Sequence, residues 1–269
     1  MLRTPLVVLT LAASGLRAQL PDSAASPTKI QDNSFLVEEA YNQEAGIVQH
    51  IGTMFARRGS SELELGFAQE WPIRSITHQI SYDIPFSTGG SAGVGDIGVN
   101  YRYQLRGHAN AMVAVAPRIT LFIPTGDWKR SRGNGALGGE LGVAVSYVVS
   151  SFVSSHTNAG AGLIPNARNS AGDKANIYDW SVGQSLILTA SSFIQPMLET
   201  VYSRGTEVAG KHITSARESF VISPGARMAI NFRSGLQVVP GLAVPIGIGP
   251  SSGERGVFFY LSFEHAFRR

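Results

Sequence analysis

Cysteine is absent from the 269-residue chain, which removes disulfide frameworks and thiolate metal centres together. Charge is scarce as well: 15% of residues are charged, against roughly 25% in ordinary soluble domains. The formal charge of +3 falls to +1 without Arg3 and Arg17, and no basic cluster with interleaved aromatics occurs, so nucleic acid is not an expected partner. Past the first residues no apolar stretch reaches the roughly 20 residues of a transmembrane helix, which excludes a helical inner-membrane protein. His50, His78, His108, His212 and His265 are scattered without ligand spacing, so no metal is expected, and nothing points to another cofactor. "GGSAGVG" lacks the Lys-Ser/Thr ending and following helix of a phosphate loop. What the chain does have is glycine, 30 residues of it.

It also has a leader. "MLRTPLVVLTLAASGLRAQ" carries a basic start at Arg3, an apolar run from Pro5 to Leu16 and a small residue at Ala18. That layout predicts an exported protein with a signal peptide over residues 1–18.

Beyond residue 46 the dominant pattern is alternation. In "GDIGVNYRYQL", Ile97, Val99, Tyr101, Tyr103 and Leu105 interleave with Asp96, Gly98, Asn100, Arg102 and Gln104. The pattern recurs over 46–58, 61–71, 75–86, 95–105, 109–124, 137–150, 152–163, 176–188, 193–203, 217–232, 235–246 and 255–267. Most of these twelve predicted strands reach the ~9–11 residues a tilted strand needs to cross a bilayer.

After the short first connection, "RRGSS", tight turns and long connections alternate. "PIRS", "RGHA", Ser150–Ser151, "ASS" and "RSG" are tight. "STGGSAGVG", "TGDWKRSRGNGA", "PNARNSAGDKA", "RGTEVAGKHITSA" and "GIGPSSGE" are long. Sorting by length between two rims characterises outer-membrane barrels, with short turns periplasmic and long loops outside. Aromatics on the apolar parity cluster toward strand ends, as interfacial girdles require, whereas Val115, Val145, Val182, Ala226 and Leu242 fill the middle. The expected fold is therefore all-β: an antiparallel up-and-down transmembrane barrel of about twelve strands over residues 47–269. It would lie in the outer membrane with both termini periplasmic. "VFFYLSFEHAF" is similar to the terminal-strand signal read by the barrel-assembly machinery, although Arg268 and Arg269 follow its last aromatic.

"SYDIPF", "GVGDIGVNYRYQL" and "PRITLFIPTGD", together with "IQDNSFLVEEAYNQEAGIVQHI", resemble the outer-membrane transporter family labelled MetA-pathway of phenol degradation. The resemblance runs from about Ile30 to the C-terminus. It implies passive uptake of small molecules, apolar or aromatic compounds among them, and supplies no catalytic residues.

The candidate solute pathway is the lumen. Its parity carries Glu62, Glu64, Glu70, Asp83, Asp96, Arg102, Arg118, Glu140, Glu199, Arg227 and Glu264, a mixed-sign set that either selects solute or fills a narrow barrel. Residues 19–46 form a separate N-terminal segment with Asp32, Glu38, Glu39 and Glu44 and the apolar Phe35, Leu36, Val37 and Tyr41. Such a segment either plugs the periplasmic mouth, pairing its acids with Arg102 and Arg227, or lies along the rim as an amphipathic helix.

Two rival classes remain. Ser154, His156 and Asn158 invite comparison with barrel phospholipases, but their inward parity and close spacing argue against an enzyme. A surface-interaction barrel without transport would place its function in the long loops. There Trp128, Lys129, Arg130 and Arg132 suit anionic lipopolysaccharide. Outer-membrane lipid and a small-molecule solute are the remaining expected partners. Inward Ala144 and Ala243 are expected to accept Arg better than outward Val145 and Leu242.

Overall fold

The computed structural model describes residues 34–89, 92–107, 111–189, 191, 193–232 and 236–267. The predicted leader, the rest of the segment through Asp32, and His108 lie outside the described residues.

Alternation becomes a wall. The strands are β1 (Ile47–Arg57), β2 (Leu63–Ile73), β3 (Ser75–Ser87), β4 (Ile97–Tyr103), β5 (Val113–Ile123) and β6 (Gly138–Ser150). They continue as β7 (Val153–Arg168), β8 (Lys174–Leu188), β9 (Ile194–Gly210), β10 (Ile213–Met228), β11 (Gln237–Ala243) and β12 (Gly256–Ala266). Two-residue pieces at Gly93–Val94, Ile230–Asn231 and Ile246–Gly247 prolong the pairing of β3, β11 and β10. Each strand pairs antiparallel with its successor, and β12 returns to β1, from Ile47 opposite Ala266 to Arg57 opposite Gly256. The sheet closes as a twelve-stranded up-and-down barrel and leaves no free edge.

Two connections expected to be long are mostly strand. β7 to β10 run 16, 15, 17 and 16 residues, beyond the ~9–11 that cross a bilayer. The backbone of "RGTEVAGKHITSA" keeps its ladder through glycines and polar residues, which carry no apolar period. It reverses only at Lys211–His212, where His212 takes φ 58°.

The seam between β10 and β11 is the shortest. Only Gly225–Arg227 pair with Gly241–Ala243 before Ile222 and Val221 resume with Ile246 and Gly247. Val244 donates to the Pro224 carbonyl at 2.9 Å, but Pro224 has no N–H to return, so the ladder lapses there.

The outer face is a belt of exposed apolar side chains, with Val182 45% and Leu242 48% exposed at mid-strand. Trp180, Tyr202 and Phe220 pack at tilted and edge-on angles toward one end of the belt. Trp71 and Tyr82, and His78 with Tyr101 and Tyr103, pack toward the tight-turn end.

The core lies inside the barrel. Ser34 to Gln43 are all buried there. Ala40 and Tyr41 pack on Ala114, Ala116 and Ala144, and the Phe35 ring lies 5.2 Å from Tyr260 and 6.0 Å from Phe258 between centroids. Gly241 makes room for Phe35, because a β-carbon there would enter its ring. Fully burying such a side chain is worth about 1.5–3 kcal/mol. Gly46, at φ 85°, turns the chain from the lumen into β1.

These contacts bear on the inward positions expected to accept arginine. Ala144 is 4% exposed against Ala40 and Tyr41, and Ala243 belongs to the cluster around Phe35. Ala243 therefore has little room for arginine, whereas Ala144 also lines a hollow beside Glu38 and Glu140.

Candidate functional site

The segment inside the barrel has no regular secondary structure, so its buried N–H and C=O groups need partners from the wall. Polar side chains on the inward parity supply them. The Glu199 carboxylate accepts from the N–H groups of Leu36 and Val37 at 2.7 and 3.1 Å. Asn158 accepts from Glu38 N at 2.6 Å and donates to Glu38 O at 2.9 Å. Ser146 Oγ accepts from Ala40 N at 2.7 Å. Gln104 donates to Ala40 O at 2.6 Å and accepts from Asn42 N at 2.8 Å. Gln79 accepts from Gln43 N at 2.7 Å, and Gln43 in turn donates to Gln49 at 2.6 Å. Carboxamides carry donor and acceptor side by side, so they pair with an extended backbone much as a neighbouring strand would.

Arginines hold the segment from the other side. Arg102 donates through Nε to Asn42 Oδ1 at 2.7 Å, and through Nη1 and Nη2 to the carbonyls of Glu39 and Tyr41 at 3.2 and 2.5 Å. Arg118 bonds the Glu38 carboxylate and reaches Glu140 at 2.9 Å. Arg102 stands 3.7 Å from Glu38. The expected partners of the segment's acids were Arg102 and Arg227. In the structure Glu38 bonds Arg118, with Arg102 at longer range, while Arg102 serves mainly backbone carbonyls. Arg227 donates to Gln195 Oε1 at 2.9 and 2.7 Å, among further interactions. An arginine's five donors suit carbonyls converging from several directions, which spacing along the chain does not reveal.

The remaining lumen candidates divide by height. Asp83, bonded by Asn100 at 3.0 Å, Glu70, bonded by Gln79 at 2.8 Å, and Glu264 are buried in the interior. Toward the long-connection end, Glu62 bonds Ser87, and Glu64 sits 3.4 Å from Arg57. Asp96, between β3 and β4, bonds none of the described residues of the segment. It accepts from Gly126 N at 3.0 Å and Asn134 N at 2.7 Å, pinning the connection after β5. Burial raises its carboxyl above the usual carboxylate range, opposed by those two N–H donors. Glu44 is half-buried where the segment leaves the lumen, and its carbonyl accepts from Ile47 N at 3.1 Å.

Two hollows flank the segment. One is lined by Glu39, Tyr41, Ser146, Ser154, His156 and Arg227, the other by Glu38, Arg118, Glu140, Asn158, Gly160 and Ser181. Glu38 and Glu39, adjacent in sequence, face opposite hollows. Of the residues considered for catalysis, Asn158 is taken by Glu38, and His156 is buried with Nδ1 2.7 Å from Ser146 Oγ.

The clamps Gln79, Gln104, Ser146 and Asn158 carry no charge that would mark them in the sequence as partners of the segment. Their one signal is inward parity near the tight-turn ends of their strands. Among the basic residues expected to face lipopolysaccharide, Arg132 is engaged, donating to Gly93 O at 2.7 Å and Ser87 O at 3.3 Å. The Trp128 ring carries Lys129 and Arg168 at 5.6 and 5.3 Å from its centroid.

No family model and no curated protein matches the sequence. Solved structures do match in fold. The COG4313 outer membrane channel from Pseudomonas putida F1 aligns at TM-score 0.63 and 12% identity, over 85% of this chain and 98% of that one. The NanC porin aligns at 0.54 and 9%, over 82% and 100%. The KdgM porin in complex with disordered oligogalacturonate aligns at 0.50 and 10%, over 82% and 99%. At these identities the likeness is one of fold, and the fold is that of outer-membrane channel barrels.

Proposed function

We propose that the chain is a passive outer-membrane channel for small molecules, with tight turns and both termini on the periplasmic side. In this reading its lumen is gated by the segment ending at Gly46. The observation that carries the proposal is the burial of Ser34–Gln43 inside the barrel on polar clamps. The clamped thread runs between two hollows, so its displacement would open a path along the lumen. Phe35, Leu36 and Val37, with Tyr260 and Phe258, give part of the interior an apolar lining. That lining, together with the resemblance to the phenol-degradation transporter group, favours small apolar or aromatic solutes. The inward acids and arginines, Glu38, Arg118 and Glu140 first among them, then act at the constriction. We read the chain as a non-enzyme, because within the Ser/His/Asn group weighed for catalysis Asn158 is bonded to Glu38 and His156 to Ser146. Lipopolysaccharide contact falls to Lys129 and Arg130 rather than Arg132.

Single-channel recording in a planar bilayer, with solute swelling assays, tests this. Deleting residues 19–46 should give larger or more frequent openings. A barrel that conducts neither before nor after deletion, although correctly assembled, would support a structural or surface role instead.

A further inference from the structure

We propose that His50 and His265 form a two-imidazole site for a divalent transition cation, Zn²⁺ or Cu²⁺, on the outer face where the first and last strands meet. Their Nε2 atoms lie 3.2 Å apart although the residues are 215 positions apart in sequence. Two nitrogen ligands about 2.0–2.1 Å from one tetrahedral cation stand roughly 3.3 Å apart, so the pair is already at ligand spacing. Both residues lie near the tight-turn rim: His50 is opposite Phe263 and His265 opposite Val48. His265 is exposed and His50 half-buried, and in the orientation proposed above this rim borders water, which completes the coordination sphere. The His50 ring stacks on Phe263 at 4.6 Å, which fixes its plane.

The surrounding hydrogen bonds can present both lone pairs. His265 Nδ1 is 3.2 Å from the Ala266 carbonyl, which can only accept; the proton therefore sits on Nδ1 and leaves Nε2 free. His50 Nδ1 is 3.0 Å from the Gln69 carboxamide nitrogen, whose Oε1 accepts from the Tyr82 hydroxyl at 2.7 Å. In that arrangement His50 Nε2–H donates to His265. Half a turn of the Gln69 carboxamide, with Tyr82 changing from donor to acceptor, places Oε1 against His50 Nδ1. The His50 proton then moves from Nε2 to Nδ1 and frees the second lone pair. Each of the three groups has both roles available.

Among the described residues no cluster of three or more His, Asp or Glu side chains is placed to hold a metal, so this is a site of two protein ligands plus water. Imidazole favours Cu²⁺ and Zn²⁺, with Cu²⁺ the tighter. A cation here links β1 to β12 across the closure of the barrel, and binding only the closed state stabilises it by mass action.

The test uses the full barrel without a histidine tag, in detergent and in lipid vesicles. Cu²⁺ alone, followed by electron paramagnetic resonance, should bind once per barrel with two nitrogen ligands. Zn²⁺ alone should raise the temperature at which the barrel unfolds on gels. His50→Ala and His265→Ala should each lose both effects while keeping the mobility of an unheated barrel, and His78→Ala should keep them. Absence of stoichiometric binding, or binding that survives the double His50→Ala/His265→Ala replacement, would overturn the proposal.

Discussion

Asn158 grips Glu38 at both ends of its main chain, accepting from the amide nitrogen at 2.6 Å and donating to the carbonyl at 2.9 Å. One wall side chain thus does for a lone extended segment what a paired strand does in a sheet. Replacing Asn158 with Leu strips both partners, and an unsatisfied buried polar group costs about 1–3 kcal/mol. If the segment gates the channel, the open-to-closed ratio should rise roughly 5–150-fold. Barrel unfolding on gels should change little. Single-channel recording reads the first effect, and unaltered opening would mean that the segment is not the gate.

A lock can be built on the same segment. Ser34 Oγ lies 2.5 Å from Ser185 Oγ, and the chain has no cysteine of its own, so Ser34→Cys with Ser185→Cys offers one disulfide. The oxidised channel should stay closed and a reductant should restore openings. Conductance indifferent to redox state, with the disulfide verified by mass, would sink the gate.

Arg118 holds Glu38 and Glu140 together in a largely buried site. Arg118→Met leaves both carboxylates without it, and breaking such a pair costs about 3–5 kcal/mol. Adding Glu38→Gln should recover part of that loss, since one of the stranded charges is gone. The unfolding temperature of the two single variants and the double one measures the coupling; strict additivity would show that the residues do not interact.

Neighbours on β8 test the two faces of the wall. Val182 faces outward and Ser181 lies between Gly160 and Ser203 on the inward side. Val182→Arg should cost about 2–4 kcal/mol at mid-depth in the bilayer and impair assembly. Ser181→Arg opens onto the hollow around Glu140 and should assemble. Equal assembly yields in vesicles would mean that the lipid face is misassigned.

The sequence by itself determined the wall: twelve strands, their inward and outward faces, and the tight-turn rim. Those features rest on a period of two, which each strand carries locally, and on turn residues at its ends. The polar extensions of β7 to β10 resemble loops in sequence because a strand beyond the bilayer need not alternate in hydrophobicity. What fills the lumen was decided only by closure. Glu38 meets Asn158 and Arg118 across 120 and 80 positions, and His50 meets His265 across 215. A closed barrel brings such residues together through its circumference, and no spacing along the chain records that distance. The N-terminal acids and apolar residues favour a plug over a rim helix only narrowly. The plug arrangement follows from satisfaction of the backbone: an extended segment inside the barrel must find a donor or acceptor for each buried peptide group, and inward carboxamides, carboxylates and arginines provide them.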